Sequence, residues 1–183
     1  MRTKLTIAFG ALGMMLSVAV AQAYPPSHPI AVKGSDAGSF VNSSFSFGGG
    51  VDAINTNYGA DTLGGPFISQ VVSEVHFSGD TCIASDGSIG FLNDLYEALV
   101  VTTYFAGGQL YTFSDDGTQC DSETTGVDSG SSTFTVIGGN GKFAGASGSG
   151  SASFTAVDLA APYSPSVGFF GANQDTYSGT VTP

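Results

Sequence analysis

Residues 132–156 read STFTVIGGNGKFAGASGSGSASFTA, and this stretch decides the fold. It opens as an alternating strand with Phe134 and Val136 on one face and Thr133 and Thr135 on the other, the period of two that a half-buried strand shows. The strand breaks at Gly138, Gly139, Asn140 and Gly141, passes Lys142 and Phe143, and returns past Gly145, Gly148 and Gly150 into a second alternating run. Glycine supplies the positive φ of a tight turn, and inside a strand it lets a sheet bend or another backbone approach. The segment therefore predicts a hairpin with a glycine-kinked return arm, at the corner of a curled sheet.

Further strands follow on either side of this hairpin. On the N-terminal side, residues 40–47 alternate Phe45 and Phe47 with Ser44 and Ser46, whereas 48–66 are rich in Gly, Asn and Asp and read as a loop. Residues 67–77 form the clearest strand. Phe67, Val71, Val75 and Phe77 share one face with Ser69 and Ser73, opposite Gln70, Val72, Glu74 and His76. Asp86-Gly87 signals a turn before a short strand at 88–92. Residues 95–105 are apolar on both faces and rich in β-branched and aromatic residues, which favours strand over helix. Gly107-Gly108 turns into a strand at 109–114, and Asp115-Asp116-Gly117 turns again, followed by an acidic stretch to Asp128. Residues 160–165 read as a proline-bearing loop, and 167–171 and 175–182 as the last two strands. About eight strands at turn spacing, with no amphipathic helix, predict an all-β fold. It is expected to be an antiparallel eight-stranded, calycin-like β-barrel, with a β-sandwich as the alternative. The C-terminal strand can close a barrel by pairing with an early one.

Composition bounds the setting. Arg2 and Lys4, the apolar run 5–21 and the small-x-small sequence Ala21-Gln22-Ala23 read as a signal peptide over 1–23. Residues 24–38, with Pro25, Pro26 and Pro29, read as an extended lead-in, and 39–183 as a single barrel domain. Cleavage leaves Lys33 and Lys142 against 15 acids. That balance makes nucleic acid a poor partner and disfavours an anionic membrane surface, since both are held by Lys and Arg; no nucleic acid partner and no membrane span after cleavage are expected. Cys82 and Cys120 are the two cysteines, and an exported chain is expected to pair them.

The run Gly138-Gly139-Asn140-Gly141-Lys142-Phe143-Ala144-Gly145-Ala146-Ser147-Gly148 resembles the GGTGRFAGATG-type sequence of small secreted bacterial proteins of the dirigent and allene-oxide-cyclase-like barrel group. The resemblance centres on 105–150. It implies an eight-stranded antiparallel barrel whose cavity holds a hydrophobic small molecule, often as a trimer. Its enzymes isomerise a fatty-acid epoxide, and its dirigent members steer phenoxy-radical coupling. No acid, base or arginine of either catalytic group aligns onto this chain, and the cavity arginines of dirigent proteins have no counterpart.

Other motifs carry less. Gly139-Asn140-Gly141 followed by Ala144 lacks the βαβ unit of a dinucleotide fingerprint, and Phe143 after Lys142, with Val136 upstream, breaks the P-loop pattern. His28 and His76 alone, without a Gly-x-Ser-x-Gly elbow, do not make a catalytic triad. Glu74 and His76 project from one strand face and could act as an acid–base pair, or lie on a solvated face. Glu97 shares a face with Leu99 and Val101. If that face points inward, its carboxyl is buried. Asp115, Asp116 and Asp121 cluster at a turn without EF-hand spacing, leaving calcium binding or plain turn chemistry. Asn42-Ser43-Ser44 matches a glycosylation sequon. No cofactor is expected.

The expected function is a secreted, non-catalytic barrel that binds a small hydrophobic ligand or serves a structural envelope or extracellular role. A cavity-based isomerase or cyclase using Glu97, or Glu74 with His76, is the alternative, and a self-assembling extracellular structural protein is a third reading.

Overall fold

A computed structural model describes residues 28–43, 51–122, 124–159 and 170–183, apart from the side chains of 42–43, 51–52, 95–96 and 170. The leader, residues 44–47 of the first expected strand, Ser44 of the sequon, the 160–165 loop and residues 167–169 of the expected strand 167–171 lie outside these residues. The fold is all-β, as expected. Its strands are β1 (Ile30–Ser43), β2 (Val51–Asp61), β3 (Gly65–Ile83), β4 (Ile89–Tyr104), β5 (Gln109–Ser114), β6 (Thr118–Ser122), β7 (Val127–Asn140), β8 (Ser147–Asp158) and β9 (Phe170–Thr182).

Every pairing among them is antiparallel. The order runs β3-β2-β1-β9-β8-β7-β5-β4, and β4 pairs back onto β3, so the sheet closes into a ring of eight strands. β6 pairs with the same two neighbours as β5, β4 and β7, and occupies the same place in the ring one step further along. This closed sheet has the barrel or sandwich-like architecture that the strand spacing predicted. The last strand closes it against the first, from Ile30 opposite Val181 to Val41 opposite Phe170. Ring closure gives β1 a neighbour on each side from Gly34 to Val41, which protects strand edges from pairing with another chain.

Period-two alternation explains why these residues form a ring. On β9, Asn173, Asp175, Tyr177, Gly179 and Val181 are turned in, while Gln174, Thr176, Ser178 and Thr180 are exposed. β8 repeats the pattern with Ser149, Ser151, Ser153 and Thr155 outside. The inward glycines lie under large side chains from neighbouring strands. A Cβ at Gly150 would lie 2.4 Å from Phe134 Cζ, and one at Gly34 would lie 2.4 Å from Tyr177 Cζ. Gly130 and Gly171 are covered in the same way by Phe154 and Phe40. In the narrow interior of an eight-stranded ring, large and small inward residues must alternate to fit.

β7 and β8 pair as a hairpin, but β7 continues through Gly138 and Gly139, where the sequence suggested a break, to Asn140. β7 and β8 are joined by a single 3-10 turn, Gly141–Phe143, and Gly141 and Gly145 take the left-handed backbone with φ of 59° and 84°. This turn drives Phe143 into the end of the ring, where it is 2% exposed and stacks on Tyr104 at a centroid distance of 4.9 Å. Val32, Phe67, Leu110, Val136 and Val181 complete an apolar plug that closes that end. Cys82 and Cys120 form a disulfide that ties β3 to β6 on the two sides of β4.

Several segment boundaries differ from the sequence reading. β1 begins at Ile30, inside the expected lead-in. The expected loop 48–66 contains β2, because the residues β2 turns inward are Asn55, Asn57, Gly59 and Asp61. An interior built of Asn, Asp and Gly inverts the apolar-in pattern that marks a strand. The segments at 88–92 and 95–105 are one strand, β4, which carries a register shift opposite Glu74 and Val75. The acidic stretch after Gly117 includes β6, and the two C-terminal strands merge into β9.

Candidate ligand cavity

The ring encloses a cavity of about 1010 Å³. Its wall between the plug and the far end is largely apolar, with Val71, Val75, Val100, Phe134, Phe154 and Ala156 among the lining residues. Against this apolar wall stand two groups of carboxyls, and no Lys, Arg or His lines the cavity among the described residues.

The first group lies next to the plug. Asp36 on β1 and Asp175 on β9 are register partners. Asn57 Nδ2 donates to Asp36 Oδ1 at 3.1 Å and to Asp175 Oδ2 at 2.9 Å, Asn173 Nδ2 donates to Asp175 Oδ2 at 3.0 Å, and Ser69 Oγ donates to Asp36 Oδ2 at 3.1 Å. Small neighbours make room for the cluster. A Cβ at Gly38 would meet Asn57 Oδ1 at 2.2 Å, and one at Gly59 would meet Asp36 Cβ at 2.4 Å. Burial, the adjacent Asp36 charge and a hydrogen bond with Asp36 push the Asp175 carboxyl up to about 7. Asp61, one layer nearer the plug, accepts from the amides of Leu63 and Gly64 and from the hydroxyls of Tyr104 (2.6 Å) and Tyr177 (3.0 Å). Burial beside this carboxylate holds both tyrosines well above the usual phenol range.

The second group lies at the far end of the ring. Asp121 on β6 and Asp128 on β7 are register partners, and Asp158 on β8 lies near them. Asn93 Nδ2 donates to Asp121 Oδ2 at 2.6 Å, and Gln119 Nε2 donates to its Oδ1 at 2.5 Å. Burial and the like charges of Asp121 and Asp158 push Asp128 up to about 8. Burial likewise raises Asp121 and Asp158.

Of the residues singled out in the sequence, Asp121 lines this cavity. Glu74 is buried and its Oε1 lies 2.8 Å from His76 Nε2, so those two do come together, but neither lines the cavity. Glu97 is exposed on the opposite face of β4 from Ala98 and Val100. Asp115 is exposed, and Asp116 caps a turn by accepting from the Thr133 amide and hydroxyl, so the three turn aspartates are not gathered. Among the described residues, no group of three or more His, Cys, Asp and Glu is arranged to hold a metal ion. Nor does any helix there have the length and apolarity to cross a membrane.

Sequence reasoning missed Asp36, Asp128, Asp158 and Asp175. Their signal was present as alternation: Asn173, Asp175 and Tyr177 are interleaved with Gln174, Thr176 and Ser178, so every second residue belongs to one face. The face with bulky, varied side chains is the inner one.

No protein-family model matches the chain, and no curated protein or solved structure matches it.

Proposed function

We propose that this protein is a secreted, non-catalytic β-barrel that holds one small molecule with an apolar body in its interior. The observation that carries this reading is the cavity itself, about 1010 Å³ within a closed ring, with valine and phenylalanine side chains on its wall and Val32, Tyr104, Leu110 and Val181 of the apolar cluster at one end. That volume is at the upper end of the range for small-molecule sites. The Cys82–Cys120 disulfide and the 1–23 leader sequence support export. The resemblance of 138–148 to the dirigent and allene-oxide-cyclase-like group supports cavity binding as the common theme, and a trimer remains part of that proposal. The third reading, self-assembly, would call on an unpaired strand at 40–47, where β1 pairs with both β2 and β9 at 40–41 and with β2 at 42–43.

A second reading, a cavity isomerase or cyclase, is favoured by one feature. Asp36 and Asp175 form a carboxyl pair against the cavity, with Asp175 at about 7, suited to exchanging a proton near neutrality. The acid and base would then be these aspartates in place of Glu97 or Glu74 with His76.

Native mass spectrometry of protein purified from its own host, followed by denaturation to release the occupant, tests both readings. One compound at near-unit stoichiometry, recovered unchanged after prolonged incubation with the protein, is the expected result. Conversion of that compound to an isomer of equal mass would replace the binding reading with the second. An empty barrel that also fails to take up the neutral dye Nile red would overturn both.

A further inference from the structure

We propose that the outer wall of β1–β5 is the contact face for a second copy of this chain, in a two-fold pair. The inference is independent of what the cavity holds, and it puts a pair in place of the trimer that the resemblance implies.

Strand register builds the face. Asn55, Ser69, Val71, Ala98, Val100 and Thr112 line the cavity, so their alternate neighbours project from the outer wall. Val41 lies opposite Ile54, Ile54 opposite Val72, Val72 opposite Leu99, and Leu99 opposite Phe113. That is one apolar row across five strands. In the next row Gln70 lies between Thr56 and Val101, with Tyr111 beyond, and a third row sets Tyr58 opposite Ile68. Val41, Ile54, Tyr58, Val72 and Leu99 are all exposed, from 40% at Val72 to 63% at Tyr58. A contiguous apolar patch of this extent on a folded chain marks a surface that something covers.

The wall on the other side of the ring is its reverse. β7, β8 and β9 expose Ser131, Thr133, Ser151, Ser153, Thr176 and Ser178, and these stand opposite one another in register. Water satisfies such hydroxyls as they are. Of the two walls, one asks for a partner.

Charge selects the partner. The chain carries a formal charge of −11, and the three rows on β1–β5 hold no charged side chain; Glu97, two residues from Leu99 on β4, marks their margin. A dissimilar partner recruited by charge would be steered to the acidic surface instead. A second copy brings the same negative charge, so two copies approach best where neither presents a carboxylate.

Symmetry and size agree with a pair. One contiguous patch used by both copies is the isologous contact of a two-fold axis, whereas a ring of three needs two different faces on each copy. Five strands about 4.8 Å apart and three rows about 6.8 Å apart make a face roughly 24 Å by 20 Å. Its projecting side chains offer area on the order of the 800 Å² that each partner gives to a standard contact.

Sedimentation equilibrium of the protein secreted by its own host, at micromolar concentration, tests the assignment. The protein should sediment as a dimer. Ile54→Glu should raise the dimer Kd by about thirtyfold or more, the loss expected of a hot-spot residue, while thermal melts show the fold retained. Tyr58→Glu serves the same purpose should the first variant fail to fold. Ser151→Glu adds the same charge on the hydroxyl wall and should leave the dimer intact. A monomer overturns the assignment, and flotation of that monomer with phosphatidylcholine vesicles would give the face to a lipid surface. A trimer overturns it as well. So does a dimer that Ile54→Glu and Tyr58→Glu leave unchanged, or that Ser151→Glu weakens equally.

Discussion

Asp36 on β1 and Asp175 on β9 stand directly opposite each other in the strand pair that closes the ring, and their carboxyls share a hydrogen bond. The same relationship recurs at the far end between Asp121 and Asp128. Both pairs make stability depend on pH in an unusual direction. Asp175 and Asp128 rise from an unfolded value of 3.8 to about 7 and about 8, and Asp121 and Asp158 rise as well. Between those values the folded chain binds more protons than the unfolded one, so stability falls as pH rises. The contribution is complete below about pH 4 and is lost by about pH 8, each tenfold difference in proton affinity between folded and unfolded chain being worth about 1.4 kcal/mol. Asp86 has the opposite sign. Hydrogen bonds from Ser88 and Thr125 hold it at about 2, so its contribution is lost only below pH 4. Thermal melts should therefore give a Tm several degrees higher at pH 5 than at pH 8. Asp128→Asn should raise Tm at pH 8 and flatten the profile. A Tm that climbs from pH 5 to pH 8 would count against the buried pairs.

The two kinds of glycine in the hairpin predict two different costs. At Gly150 a methyl group would meet Phe134 Cζ at 2.4 Å and the Ser178 carbonyl oxygen at 2.3 Å. The backbone of β9 must then shift, so Gly150→Ala should cost about 1–3 kcal/mol, as overpacked cores do. At Gly145 nothing lies within 4 Å of the same methyl, but φ is 84°, and the cost there is conformational, about 1–2 kcal/mol. Urea denaturation of both variants measures these costs, and dye uptake separates the two, because Gly150→Ala also shrinks the cavity and should weaken Nile red uptake whereas Gly145→Ala should not. Equal loss of dye in both would contradict the placement of Phe134 on the inner wall.

Much of this fold was legible because the outer wall is regular. Residues 67–77, 109–114 and the hairpin could be read since their inward positions include Phe67, Val71, Leu110, Phe134 and Val136, which announce a core. β2 could not, because Asn55, Asn57 and Asp61 occupy the positions where a core strand usually carries valine or isoleucine. The site was hidden for the same reason. The pattern of a carboxylate among apolar neighbours points to Glu97, on a strand whose other face is the buried one. The cavity's own acids sit in Ser-, Gly- and Asn-rich segments, and what gathers Asp36, Asp175 and Asn57 is the pairing of β1 with β2 and β9, the last of them far away in sequence. Local patterning does not encode that register; ring closure sets it.

Phe143 closes one end of the ring by insertion from a three-residue turn, a contact that ties the hairpin to the interior. Truncation to Ala removes a ring that is 2% exposed and packs on Tyr104. Phe→Ala changes in cores cost about 3–5 kcal/mol, and the lower part of that range is expected here because the turn can settle inward. The functional consequence is sharper than the stability one. With Phe143 truncated the plug is thinned to Val32, Phe67, Leu110, Val136 and Val181, so dissociation of Nile red measured by stopped flow should quicken. Phe143→Leu, which keeps most of the apolar volume, should restore slow release. An unchanged off-rate in the Ala variant would mean that ligands exchange wholly through the far end.

Cys82 and Cys120 are 38 residues apart in sequence and join strands on opposite sides of β4. The chain-entropy model assigns a loop of that size about 4 kcal/mol of stabilisation. The bond spans β4 at Gly90 and Leu92, the register partners of the two cysteines, and Cys120 is next in sequence to Asp121. Reduction therefore loosens the wall that carries the far-end carboxyls, not the plug. Melts in the presence and absence of a thiol reductant should show Tm falling by roughly 8–16 °C, at about 2–4 °C per kcal/mol for a chain of this length. Hydrogen exchange in the reduced protein should quicken first in β6 and the C-terminal part of β3, while the amides around Phe143 keep their protection. Uniform loss of protection across the ring would show that β3 and β6 do not open separately from the rest.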